Sequence, residues 1–275
     1  MTLKTRNRLY LFFAIASAAA LVLCGIIFTL AAISSNIVPP QDAVRTVKLF
    51  GGKNVFDQNF YAVITNIFLL TAYVPVVAFI VYQSFEKTQS LEVIYFAGFL
   101  MGVLAESLRI FVPVAGLWRG FSSLLLLSGQ GVISGRILCS LSLLSAALFS
   151  ENDQRKNIER NLIGIIVCSV FAGVIFPFDT SQTSSTCMVL WSFRPLLTTL
   201  RVLIFLATIS VLIINGVSKG SREMFLMALG YALLFTGYTI LCATDCFMLT
   251  GAGTALLAVG TSFYLKSTHR IYMWH

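Results

Sequence analysis

LYLFFAIASAAALVLCGIIFTLAAI, residues Leu9–Ile33, runs for 25 residues without one charged side chain. At 1.5 Å per residue it makes a helix of roughly 37 Å, longer than the ~30 Å hydrocarbon core of a bilayer. Lys4, Arg6 and Arg8 precede it, which raises the competing reading of a cleaved signal peptide. A cleavable apolar region has only about 7–15 residues. Leu23, before Cys24, is also not the small residue that a lipoprotein cleavage site needs. The run is expected to be a retained membrane anchor.

Working outward from it, seven more runs qualify: Phe60–Tyr82, Leu91–Val112, Phe121–Ser150, Asn161–Phe178, Pro195–Ile214, Glu223–Leu241 and Cys246–Lys266. The expected fold is all-α, a polytopic integral membrane bundle of eight transmembrane helices. Only Cys242–Asp245 separates the last two runs, so seven spans with a broken final helix is the alternative. The whole composition agrees. The 275 residues are 57% hydrophobic and 11% charged, with mean hydropathy +0.88. Soluble domains are about 25% charged. A large soluble domain, a disordered chain and a nucleic-acid reader are therefore excluded, despite the net charge of +8. No linker or low-complexity tract divides the chain, so residues 1–275 read as one transmembrane domain.

The basic residues give the orientation. With the N-terminus in the cytoplasm, eleven Lys and Arg fall inside and five outside, and Arg109, Arg136 and Arg201 lie within spans. Both termini are expected on the cytoplasmic side, and a bacterial inner membrane is the expected location. The longer connections, 34–59 and 179–194, then lie outside. In the first, Pro39-Pro40, Asp42 and Gly51-Gly52 bracket a helical pattern over Gln41–Phe50. That segment reads either as a surface helix with Arg45 and Lys48 on headgroups or as an ordered loop. Inside, the charged run Glu151–Asn161 reads as a solvated helix extension or a docking face. A tail of nine residues after Lys266 leaves signalling to a partner chain, membrane or cytoplasmic.

Ionisable groups at mid-membrane cost about 2.5–3.5 kcal/mol each on insertion scales. Four are retained: Glu106, Arg109, Arg136 and Arg201, with Asp245 at the outer turn. Glu106 and Arg109 share a helical face at i, i+3. Their faces are expected to converge on an outward-opening pocket of three arginines against one glutamate. Guanidinium forks suit carboxylate or phosphate, so the expected ligand is a small anion or a lipid headgroup. The alternative is structural, with Glu106 locking helices together and Arg201 snorkelling to the surface. Asn66, Gln130, Ser134 and Asp245 are secondary pocket candidates. Gly98/Gly102 and Gly131/Gly135 form two G-x-x-x-G steps suited to close helix packing. A disulfide from Cys187 to Cys246 or Cys242 is an open reading for an oxidising compartment.

The absences narrow the chemistry. The two histidines, His269 and His275, are both in the tail. That removes Ser–His and Cys–His catalysis and H-E-x-x-H zinc chemistry within the spans. No lysine lies within a span except at its end, which removes a retinal Schiff base, and no phosphate-binding G-x-x-x-x-G-K-[ST] run is present. No catalytic residue, metal or cofactor is expected. The leading expectation is a non-enzymatic sensory or accessory module. The alternatives are a secondary transporter of a small anionic or polar solute and a lipid-modifying membrane enzyme.

Overall fold

The computed structural model describes residues 3–34, 37, 59–85, 90–118, 122–149, 158–191 and 193–273. The segment Gln41–Phe50 and residues 151–157 of the charged run lie outside these. Eight helices are long and apolar enough to cross a membrane. They are α1 (Leu3–Ile33), α2 (Phe60–Ser84), α3 (Leu91–Val114), α4 (Ser123–Leu148), α5 (Ile158–Ile175), α6 (Arg194–Lys219), α7 (Arg222–Ala243) and α8 (Phe247–Met273). The last two are separate, because Thr244 takes an extended conformation and breaks the helical path. The described residues therefore form eight separate candidate spans rather than seven with a broken final helix.

Contacts between helix ends show how the chain alternates. Arg6 of α1 donates to the carbonyl of Phe85 after α2, and the Phe85 ring meets His269 near the end of α8 at 5.5 Å. Tyr272 of α8 donates to Glu92 at the start of α3 (2.6 Å), and Arg270 pairs with Glu223 at the start of α7 (3.3 Å). The starts of odd helices and the ends of even ones thus share one face of the bundle. At the opposite face, the Asn59 amide before α2 donates to the carbonyl of Asp245 between α7 and α8.

α3 and α4 are the most enclosed helices, and α1, α5 and α6 the least. The peripheral helices turn Ile163, Val167, Phe171, Leu203, Leu206 and Ile214 outward. An exposed apolar band of this kind suits lipid rather than water. The glycine steps read from the sequence are the α3–α4 contact. A Cβ on Gly135 would lie 2.5 Å from the Cβ of Ala105 and 2.7 Å from the Gly102 carbonyl oxygen. That contact sits one residue before each member of the later ion pair, so it fixes Arg136 beside Glu106. Gly135→Val is expected to lower stability by about 1–3 kcal/mol, the usual cost of overpacking. Unfolding in detergent measures it, and an unchanged midpoint would rule out the close contact.

One element departs from the all-helical expectation. Residues 179–194 were expected to form an outer connection, yet β1 (Phe178–Ser184) and β2 (Met188–Trp191) pair there as an antiparallel hairpin. Its tip is buried among the helices: Thr183, Ser184, Ser185, Thr186 and Cys187 are each at most 5% exposed. Non-helical backbone survives in such surroundings only when protein partners satisfy its polar groups. Cross-strand pairing and the Cys187 amide donating to Ser184 (3.1 Å) do so here.

Candidate functional site: a buried arginine cluster beside a cavity

Within α3 the segment Ala105–Ile110 tightens into a 3₁₀ turn. Residues three apart eclipse in that geometry, which stacks Arg109 over Glu106. The Arg109 Nη1 donates to Glu106 Oε2 at 3.1 Å. From α4, Arg136 donates through Nε to Oε1 at 2.7 Å and through Nη2 to Oε2 at 3.1 Å. Tyr238 of α7 donates its hydroxyl to Oε1 at 3.1 Å. One carboxylate thus ties three helices, and its residue is fully buried.

The three arginines take different roles. Arg109 also donates to the Thr186 carbonyl at the hairpin tip, through Nε at 3.0 Å and through Nη2. It anchors the hairpin. Asp245 helps from the other side, accepting from Ser185 at 3.1 Å. Arg201 of α6 is unlike the other two. Its guanidinium lies over the rings of Phe235 (5.6 Å) and Tyr238 (5.9 Å), and its buried Nε and Nη2 have no hydrogen-bond partner among the described residues. Glu106 carries one negative charge against three positive ones.

Arg201 and Arg136 both line a cavity of about 620 Å³ between α4, α6, α7 and the hairpin. Hydroxyls surround it from Ser184, Thr186, Thr198, Thr199 and Thr239. Met188, Trp191 and Pro195 add an apolar wall. Phe205 stacks against Phe235 (5.0 Å) and meets Tyr231 (5.6 Å), and the Arg201 guanidinium lies over the Phe235 ring. Chemically the arrangement offers hydrogen-bond donors and unneutralised positive charge in an enclosed space. No protein-family model matches the chain, and no curated protein sequence is similar to it. The site's chemistry therefore carries the functional argument.

The remaining candidates do other work. Asn66 donates to the carbonyl and hydroxyl oxygens of Thr244 (3.1 and 3.3 Å), bracing the break between α7 and α8. Ser134 donates to the Gln130 carbonyl at 2.7 Å, and both pack against Gly173 of α5. None of these three lines the cavity. No disulfide forms: Cys187, Cys242 and Cys246 are free thiols. Cys187 packs instead as a small apolar group with Val63, Ile67, Ile110 and Leu125. Burial pushes its thiol up to about 12, against the opposing pull of the Arg109 cation. At pH 8 it is protonated and enclosed, so maleimide is expected to label Cys187 only after denaturation. Because Cys168 is exposed, labelling is read at the Cys187 peptide, and stoichiometric labelling there in the native protein would show the hairpin tip to be open.

Sequence reasoning missed Tyr238, the hairpin and the threonines of α6. A signal for the last was present. Thr198, Arg201, Phe205, Thr208, Leu212 and Asn215 follow a 3–4 spacing that puts one polar stripe on an otherwise apolar helix. Thr208 and Leu212 are buried while Leu203, Leu206 and Ile214 are exposed, so the stripe faces the bundle.

Proposed function

We propose that the protein is a multi-pass membrane module that binds a small anion in the cavity beside Arg201. The observation that carries this reading is a guanidinium in the cavity wall whose buried nitrogens lack partners. Buried donors left unsatisfied cost about 1–3 kcal/mol, and a bound carboxylate or phosphate oxygen would recover that. Arg136 and the surrounding hydroxyls would complete the coordination, with Glu106 holding Arg136 in place. Arg109 serves the site by positioning the hairpin, not by touching the ligand. The positive-inside rule puts the termini in the cytoplasm and the cavity at the outer face of an inner membrane. The packed stack of Phe205, Tyr231 and Phe235 beside Arg201 supports a one-sided binding module, sensory or accessory, that acts with a partner protein.

Thermal stabilisation of the detergent-solubilised protein by phosphate, sulfate, citrate and short-chain carboxylates tests the reading. At least one is expected to raise the melting temperature of the wild type and leave Arg201→Leu unmoved. Equal responses in the two proteins, or none in either, would remove the proposal.

The stripe on α6 supports a second reading, because it continues past Phe205 to Asn215, where the amide meets the Ala147 carbonyl (3.5 Å). A secondary transporter would need the Phe205–Tyr231–Phe235 stack to part. Flux of a labelled anion into proteoliposomes separates the two readings.

A further inference from the structure

A second cavity lies at the opposite end of the bundle, on its flank, and owes nothing to the arginine cluster. There α2 and α8 are bridged at two points. Tyr73 Oη and Thr261 Oγ1 are 2.6 Å apart, and the Phe85 and His269 rings meet at 5.5 Å. Between the bridges the helices leave a slot of about 570 Å³ walled by Val76, Val77, Ile80, Ala258 and Leu265. Val76 and Ile80 are exposed, so the slot opens sideways, toward the surroundings of the bundle. Its wall from Ala258 to His269 covers about 16 Å of helix. That is close to one leaflet's half of a ~30 Å hydrocarbon core.

The two ends of the slot differ in charge. Lys266 and His269 stand at the end nearer the chain termini, beside the hydroxyl-bearing Ser84. The neighbouring cations are engaged elsewhere: Arg270 pairs with Glu223, and Arg6 donates to the Phe85 carbonyl. Lys266 is exposed and has no ion-pair partner among the described residues. An apolar slot one leaflet deep, ending in a free ammonium and an imidazole at headgroup level, matches one class of molecule.

We propose that this slot binds an anionic phospholipid of the leaflet on the side of the chain termini, with an acyl chain between α2 and α8 and the phosphate on Lys266 and His269. A lysine near an anionic headgroup is worth about 1 kcal/mol, or roughly fivefold in affinity. The test uses the delipidated full chain in detergent, titrated with dioleoyl phosphatidylglycerol or dioleoyl phosphatidylcholine and followed by native mass spectrometry. Phosphatidylglycerol is expected to bind at least fivefold more tightly. Lys266→Gln should erase that preference. Ala258→Trp, at an exposed position that tolerates bulk, should remove specific binding of both lipids while the melting temperature stays unchanged. Inorganic phosphate at matched concentration should displace neither lipid. Equal binding of the two lipids by the wild type, unchanged binding in both variants, or displacement by phosphate alone would overturn the proposal. None of these outcomes touches the cavity beside Arg201, whose test uses different variants and soluble anions.

Discussion

Glu106→Gln is expected to destabilise the folded protein by about 3–5 kcal/mol, the largest single-residue effect in the molecule. The carboxylate accepts from Arg109, Arg136 and Tyr238 and is fully buried. Removing its charge leaves two enclosed guanidinium groups facing a neutral amide. Breaking a buried pair from one side costs this much because the surviving charge has no compensation. The same reasoning predicts a partial rescue. Glu106→Gln combined with Arg136→Met removes one of the stranded cations, and buried pairs replaced by apolar groups of similar size are often close to neutral. Unfolding of the single and double variants in detergent measures both. If the single variant melts like the wild type, the carboxylate does not hold the three helices together.

Arg201→Met is expected to do the opposite. Its stability should match or exceed that of the wild type, because the cation it removes has no carboxylate and two unsatisfied donors. The ring contacts with Phe235 and Tyr238 return only about 0.5–2 kcal/mol. Anion affinity, in contrast, should fall about 10- to 100-fold, from the loss of charge-assisted hydrogen bonds worth roughly 1.5–3 kcal/mol. A residue whose removal improves the fold and damages binding is what a functional site leaves behind. Melting and calorimetric titration with the same anion panel read the two effects separately. A strong loss of stability would instead make Arg201 a structural cation like Arg136.

Much of the architecture was legible because lipid-spanning helices write themselves into sequence as long apolar runs. Each of the eight runs coincides with a helix, and the largest displacement is at α8, which continues past Lys266 to Met273. The buried charges were legible too, since few side chains are so conspicuous among apolar neighbours. Their division of labour was not. Arg109, Arg136 and Arg201 are the same residue type, and what separates them is a backbone carbonyl, a shared carboxylate and a vacancy of partners. A carbonyl acceptor such as that of Thr186 has no signature in sequence. The hairpin was hidden for a related reason: its hydroxyl-rich strand reads as a loop until non-local packing buries it. Ser134 is placed by helix geometry alone. Two residues before Arg136 it lies about 200° round the helix, on the side that meets α5.

If the cavity beside Arg201 holds a small anion, native mass spectrometry of the gently extracted protein will detect it. The expected result is a discrete small-anion adduct on the wild type that is absent from Arg201→Leu, with both proteins folded. Identical spectra, whether both bare or both carrying the same adduct, would contradict it and return Arg201 to the role of a buried structural cation.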